Sequence, residues 1–158
     1  MNEVAPDVAD EAELLEDLLD AIADALQLDV DVNIEYADGV LTGSLDGEDI
    51  GLFIGRHGQT IDAVQHLAQR IVLKGGESGV RLLVDADGYR ARRAKALRAE
   101  ADDAAEKAVR TGRAVELARM PALERRVVHE HLRDRDEVET YSEGEEPDRY
   151  LVVAPTHG

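Results

Sequence analysis

The chain has 158 residues, which is enough for one ordinary domain or two very small ones, and it contains no cysteine. A disulfide framework, a thiolate metal site and a cysteine nucleophile are therefore excluded. The formal net charge of −17 argues against a polyanionic partner, because proteins usually meet nucleic acid with a basic surface.

The N-terminal segment, residues 1–10, is predicted to be a disordered acidic lead-in. From Glu11 onward, apolar residues recur at the 3, 4, 7 and 8 spacing of an amphipathic helix, with Asp and Glu on the opposite side. This pattern predicts the first helix. Its apolar positions are Leu14, Leu15, Leu18, Leu19, Ile22, Ala25 and Leu26.

A β-hairpin is predicted next. Apolar and polar residues alternate from Val30 to Tyr36, and Asp38-Gly39 supplies a turn. The second strand continues to a further turn at Asp46-Gly47, and two choices of its buried face stay open. One choice buries Val40, Thr42 and Ser44, and the other buries Leu41, Gly43 and Leu45.

Residues 49–54 are read as a short helical segment that leads into Gly55-Arg56-His57-Gly58. A longer helix is predicted to follow, ended by Gly75-Gly76, and the alternation of Val80, Leu82 and Val84 then predicts a third strand. The order of elements to this point is α-β-β-α-α-β. The apolar face predicted for the longer helix comprises Ile61, Val64, Leu67, Ala68, Ile71 and Val72.

An Ala-rich and Arg-rich stretch from Gly88 to Thr111 predicts one long helix, both a linker and the first element of a second module. A short strand, a helix that starts near Pro121 and two final strands joined by the acidic loop 142–147 are predicted to follow. The apolar residues that indicate these elements are Val115, Leu117, Leu123, Val127, Val128, Leu132, Val138, Leu151, Val152 and Val153.

The first motif with a chemical meaning is the GxxG loop, Gly55 to Gly58. Two glycines let the backbone turn sharply and approach a ligand, and the unsatisfied amides of the following helix favour a phosphate. Arg56 adds a positive charge and His57 a hydrogen-bonding group. Taken alone, such a motif is more often a plain glycine-rich turn between two helices.

The order of elements around this loop is similar to that of the KH domain, in its type II, bacterial arrangement. In that family the loop clamps nucleic-acid backbone and an adjoining apolar groove receives the bases. The resemblance covers residues 11–86. It implies that RNA is bound by Ile54, Gly55, Arg56, His57, Gly58, Gln59, Thr60 and Ile61.

The second motif is Arg125-Arg126-Val127-Val128-His129. Arg125 and His129 are four residues apart on a helix, so one face presents a guanidinium and an imidazole. A solvated or partly buried pair is the ordinary alternative. The later Thr140-Tyr141-Ser142-Glu143-Gly144 and Arg149 resemble the R-three-H domain, which implies nucleic-acid binding by Arg125, His129, Arg126 and Arg149.

Together these motifs resemble the bacterial Jag family, also called KhpB or SpoIIIJ-associated protein, over residues 11–155. The resemblance implies an α+β fold in which a type II KH domain (11–86) is joined by a connecting helix (87–112) to a small α/β R-three-H domain (113–158). Many members carry an additional N-terminal Jag domain, whereas ten residues precede the first predicted helix here. The family also implies a role in cell elongation and division, and pairing with a small stand-alone KH protein.

Between the two motifs, Asp85, Gly88, Tyr89, Arg90 and Arg93 also match the family. They begin a basic run that continues through Lys95 and Arg98. The run has two interpretations: a phosphate track led by Arg90 and Arg93, or a solvated helix face paired with nearby Asp and Glu.

The distribution of charge fits a central binding region. Residues 1–50 hold 16 Asp and Glu and no Lys or Arg, whereas residues 51–133 hold 16 Lys and Arg against 11 Asp and Glu. The basic centre would meet a phosphate backbone while the acidic flanks repel non-specific contact, although solubilising acidic flanks around an ordinary centre explain the charge equally well.

The sequence predicts a binding protein and not an enzyme. It shows no metal-ligand spacing among its five histidines and no nucleotide-binding glycine pattern, so neither a metal nor a cofactor nor a small-molecule substrate is expected. The expected ligand is single-stranded RNA, or single-stranded DNA; a protein-interaction scaffold built on the KH fold is the alternative. Without a signal peptide or an apolar run of about 20 residues, a cytoplasmic location without membrane insertion is expected.

Overall fold

The computed structural model describes residues 6–74 and 79–157, and it divides into two compact units, Met1–Arg90 and Ala91–Gly158. The boundary lies within the first turn of the long helix. The domain limits 11–86, 87–112 and 113–158 stay predictions. In the described residues the elements are α1 (Pro6–Ala25), β1 (Val30–Ala37), β2 (Val40–Gly47), α2 (Gly51–Ile54), α3 (Gln59–Val72), β3 (Arg81–Ala86), α4 (Tyr89–Thr111), β4 (Val115–Glu116), α5 (Ala122–Leu132), β5 (Val138–Glu143) and β6 (Tyr150–Pro155).

The first unit has the predicted order α-β-β-α-α-β. Its sheet has the strand order β1-β2-β3: β1 and β2 are antiparallel, and β2 and β3 are parallel. Of the two predicted buried faces of β2, the one with Leu41, Gly43 and Leu45 is correct, because Leu41 and Leu45 are fully buried and Gly43 lies between them. A Cβ at Gly43 would lie 2.5 Å from the Leu19 side chain, so glycine lets α1 lie close to the sheet.

The predicted disordered lead-in is wrong for residues 6–10, because α1 begins at Pro6. The physical reason is one further turn of helical spacing: Val8 lies four residues before Ala12 and seven before Leu15, and it is only 3% exposed in the first core. Proline is tolerated in the first turn of a helix. Residues 1–5 lie outside the described part of the chain.

The predicted apolar face of α3 is only partly correct. Ile61, Val64, Ala68 and Val72 are buried, whereas Leu67 and Ile71 are 44% and 42% exposed. Gln65 is buried beside this face because its amide satisfies the backbone of β3. It donates to the Leu82 carbonyl over 2.7 Å and accepts from the Val84 amide over 2.6 Å. The predicted stop at Gly75-Gly76 lies outside the described residues.

The second unit packs α4 and α5 against a sheet of strand order β4-β6-β5 in which both pairings are antiparallel. The α4 face in its core is made of one leucine and four alanines. The predicted apolar face of α5 is wrong at Leu123, which is 36% exposed, because Glu124 and Arg125 are buried and hydrogen-bonded. The core comprises Leu97, Ala101, Ala104, Ala105, Ala108, Met120, Val128, Leu132, Val138, Leu151 and Val153.

Candidate nucleic-acid interface

The GxxG loop has a backbone that glycine alone adopts easily. Gly55 has φ 76° and ψ 175°, Gly58 has φ 74°, and a 3₁₀ turn over Arg56–Gly58 connects the two. A Cβ at Gly55 would overlap the Thr60 hydroxyl oxygen, and one at Gly58 would overlap the Tyr89 hydroxyl oxygen. Gly55 is therefore favoured by close approach to the Thr60 backbone as well as by backbone angle, and Gly58 chiefly by its backbone angle.

The two central residues of the loop point their side chains into solvent. Arg56 and His57 are exposed, and in residues 6–74 and 79–157 their side chains make no hydrogen bond or ion pair. His57 has φ 55°, which is uncommon for a residue with a Cβ. The loop thus holds a guanidinium and an imidazole free for a ligand.

The loop ends at the N-terminus of α3, where Gly58 is the N-cap and provides no side-chain hydrogen bond. The Gln59 amide donates to the Arg56 carbonyl, so an anion at this end would meet the amides that follow Gln59 and the positive end of the helix dipole. Gln59 is exposed and Thr60 half-buried, whereas Ile54 packs against the core and Ile61 is fully buried. The structure therefore gives Ile61 a packing position beneath the loop and not a surface position.

The two arginines of the expected phosphate track are both engaged in ion pairs. In the first unit, Arg90 bonds Asp62 over 2.8 Å, and its side chain is 10% exposed. In the second unit, Arg93 donates to both carboxylate oxygens of the buried Glu124, over 2.9 and 3.3 Å. A track through these two residues stays a prediction, and it would have to compete with these carboxylates.

The second unit contains a groove of about 420 Å³ between α5 and β5, which we call the α5 groove. It brings together all four residues that the second motif predicts, Arg125, Arg126, His129 and Arg149. Its full lining is Ala122, Arg125, Arg126, His129, Thr140, Tyr141, Ser142, Arg149 and Leu151.

Arg125 is the buried cation of the α5 groove, with 8% of the residue exposed. Its Nε donates to the Met120 carbonyl over 3.2 Å, and its Nη2 donates to the carboxylate of Glu146 in the acidic loop. A buried guanidinium needs such acceptors, because desolvating an unpaired charge is costly. Glu146 therefore compensates the charge of Arg125.

The other polar residues of the α5 groove are also held by neighbours. His129 Nδ1 is hydrogen-bonded to the Thr140 hydroxyl, and Arg149 Nη1 donates to the Gly144 carbonyl over 2.7 Å. Arg126 donates to Glu130 over 2.9 Å, and this hydrogen bond lowers the pKa of Glu130 below the ordinary value. At the edge of the acidic loop, the hydrogen bond from Tyr150 to Glu143 raises the pKa of Tyr150.

The family resemblance names Thr60 and Tyr89, but the contacts that shape these sites have no signal in the sequence. Asp62, Thr60 and Tyr89 surround the GxxG loop, and Glu124 and Glu146 hold arginines in the second unit. Each partner lies far from its arginine or glycine along the chain, apart from Thr60, whose spacing from Gly55 has no special meaning. Only the folded arrangement could have revealed them.

The described residues contain no cluster of three or more His, Asp or Glu side chains arranged to hold a metal ion. Among the helices of residues 6–74 and 79–157, none has the length and apolar character that crossing a bilayer requires.

Family models match both units. The KH domain of KhpA and KhpB matches residues 12–84, and the R-three-H domain matches residues 95–155. The chain belongs to the KhpB family. The fold is accordingly the predicted one, a type II KH domain in the first unit and an R-three-H domain in the second.

Relatives within the KhpB family align over most of this chain. It is 36% identical over 140 residues to the RNA-binding protein KhpB of Clostridium symbiosum, covering 87% of this chain and 63% of that protein. It is 38% identical over 138 residues to KhpB of Lactiplantibacillus plantarum, covering 87% and 43%. For KhpB of Bacillus subtilis the identity is 30% over 138 residues, covering 86% and 66%. The chain thus spans less than two thirds of the length of the first two relatives.

Proposed function

We propose that this KhpB-family chain binds single-stranded RNA through the GxxG loop and, as a second site, through the α5 groove. The exposed Arg56 and His57, which have no side-chain partner among the described residues, carry the proposal together with the N-terminus of α3 beside them. Phosphates supply most of the affinity in such a site. Exposed aromatic surface is sparse, so weak sequence preference follows.

The proposed cellular role is that of a cytoplasmic post-transcriptional regulator linked to cell elongation and division, which is what the family resemblance implies. The named relatives are RNA-binding proteins, which supports the choice of RNA over single-stranded DNA. We also propose pairing with a small stand-alone KH protein of the KhpA type, because one family model describes the KH domains of both KhpA and KhpB.

The test replaces Arg56 and His57 together by Asp in the full chain and measures the anisotropy of a labelled eight-nucleotide single-stranded RNA. The parent is expected to bind and the Asp variant to lose at least tenfold in affinity, about the loss expected when charge repels phosphate. A matched control is His66→Asp with Arg70→Asp, which changes the same two residue types at exposed positions on α3. The control should bind within about twofold of the parent, as expected for surface changes away from a site.

The loop changes leave both glycines in place, so circular dichroism should show a folded protein. If the folded Asp variant binds the short RNA as the parent does, the GxxG loop is not the binding site. Equal losses in the variant and its control would mean that net charge, and not the loop, governs binding.

A second candidate function is a protein-interaction scaffold, favoured by exposed apolar side chains in the first unit. Leu52 is 64% exposed, and Leu67 and Ile71 lie one turn apart on α3. Isolated exposed apolar residues are ordinary on protein surfaces, so RNA binding remains the stronger proposal. Failure of the parent chain to bind single-stranded RNA would favour the scaffold.

A further inference from the structure

The first turn of α3 contains a carboxylate where the proposed phosphate would bind. Asp62 lies four residues after Gly58, and its side chain is 20% exposed. An acidic residue in the first turn stabilises a helix, since it faces the positive end of the dipole. The same negative charge would repel a phosphate that approaches the backbone amides in the first turn of α3.

Arg90 neutralises this carboxylate. Its Nη1 bonds Asp62 Oδ1 over 2.8 Å, while its Nε donates to the Val84 carbonyl over 3.1 Å. Its backbone amide donates to Asp85 Oδ1 over 3.0 Å, which fixes the start of α4. These contacts to α3 and β3 therefore hold the guanidinium in one place.

The guanidinium of Arg90 is not presented to solvent. Its side chain is only 10% exposed, and Nη2 is buried without a hydrogen-bond partner among the described residues. A phosphate at the protein surface could not reach that nitrogen directly. The geometry therefore argues against Arg90 as a direct phosphate ligand and in favour of an effect exerted through Asp62.

The preceding residue contacts the loop itself. The Tyr89 hydroxyl occupies the space that a Cβ at position 58 would need, so Tyr89 packs directly against Gly58. Residues 89 and 90, at the start of α4, thus support both the backbone of the GxxG loop and the charge of the turn that follows it.

We propose that Arg90 is a positioning residue of the GxxG site: it cancels the charge of Asp62, so the first turn of α3 accepts an RNA phosphate, and it does not touch RNA. The inference rests on the proposed RNA binding at this loop. It gives Arg90 a different role from the phosphate track expected from the sequence.

The test is a double-mutant cycle on the full chain with the eight-nucleotide RNA. Arg90→Gln leaves Asp62 unneutralised and is expected to weaken binding about tenfold, within the range of coupled neighbouring charges. Combining Arg90→Gln with Asp62→Asn should restore affinity to within about twofold of Asp62→Asn alone. Arg110→Gln removes the same charge from an exposed position on α4 outside the basic run, and it should leave binding within about twofold of the parent.

Direct contact and a structural role give different results. If Arg90 touched a phosphate, Arg90→Gln would reduce the salt slope by about 0.7 and Asp62→Asn would not restore affinity. If Arg90 only supported the fold, melting temperature and affinity would fall together and the second substitution would restore neither. Either result overturns the proposal. The proposal requires that Asp62→Asn restores the affinity lost in Arg90→Gln and that Arg90→Gln leaves the slope of log K against log salt unchanged.

Asp62→Asn alone keeps the inference testable if Arg90→Gln does not fold. With Arg90 uncompensated, this variant should bind RNA about two- to threefold more tightly than the parent, as a nearby added positive charge would. Unchanged or weaker binding overturns the proposal. Loss of binding by the Arg56 and His57 variant, together with normal binding by Arg90→Gln, would refute the inference and leave the proposed function standing.

Discussion

The GxxG loop and the α5 groove offer similar chemical groups to a nucleic acid, but they hold them in opposite ways. Arg56 and His57 stand in solvent, whereas Arg125 is buried between the Met120 carbonyl and the Glu146 carboxylate. A solvated cation binds phosphate without breaking an internal contact but must lose side-chain freedom. A buried cation is already ordered, and it is part of the fold.

The largest difference should appear in stability. Arg125→Ala is expected to lower the free energy of unfolding by about 2–4 kcal/mol, because it removes a buried hydrogen-bonded charge and its packing. Arg56→Ala should change it by less than about 0.5 kcal/mol, as exposed substitutions do. Urea unfolding monitored by circular dichroism measures both. If the two variants lost similar free energy of unfolding, Arg125 would not differ from Arg56 in its contribution to the fold.

The next effect concerns Glu146, whose carboxylate is paired with Arg125 and would compete with an RNA phosphate in the α5 groove. Glu146→Gln should tighten RNA binding at this groove by up to about fivefold, because an RNA phosphate no longer competes with the Glu146 carboxylate for Arg125. The gain is limited because the Glu146 side chain is 58% exposed, which makes its ion pair weak. Anisotropy in the Arg56 and His57 double-Asp background isolates the second site.

Glu145→Gln is the matched control for Glu146, because it removes the same charge from the next residue of the acidic loop. Glu145 is exposed, and neither a side-chain hydrogen bond nor an ion pair involves it in the described part of the chain. A general electrostatic effect would make the two variants equal. Weaker binding by Glu146→Gln would show instead that Glu146 holds Arg125 in its binding position.

A smaller effect should appear in the salt dependence of binding. If about four phosphates are neutralised, the slope of log K against log salt should be near −3 for a single strand. Arg56→Ala should reduce its magnitude by about 0.7, the contribution of one phosphate contact. Anisotropy titrations at several salt concentrations measure this, and a parent slope near zero would refute a phosphate clamp.

The smallest effect is the pH dependence of the Arg126–Glu130 ion pair at the α5 groove. The hydrogen bond from Arg126 lowers the pKa of Glu130 below its ordinary value of 4.5. The ion pair is therefore complete above that value and is lost as the pH falls through the lowered pKa, which releases Arg126. In Arg126→Ala, NMR titration should show a higher pKa for the Glu130 carboxyl than in the parent. An unchanged Glu130 pKa would exclude the Arg126–Glu130 ion pair in solution.

The sequence by itself determined the elements and the loop, because their signals are local. Helical spacing, the alternation of the hairpin and the two glycines of the GxxG loop each restrict the backbone within a few residues. The order of elements and the shared helix face of Arg125 and His129 were predictable for that reason, whereas Arg149 was assigned to the same site by the family resemblance. Local spacing even extends α1 to Val8, although the acidic composition hid it.

Only the tertiary structure decided which charges are free. Arg56 and Arg90 look alike in the sequence, yet one is exposed and the other is bonded to Asp62, 28 residues away. Likewise, Leu67 is exposed while Gln65 is buried against the backbone of β3. Pairing and burial depend on segments that are distant in the chain and meet only on folding, so no local pattern records them.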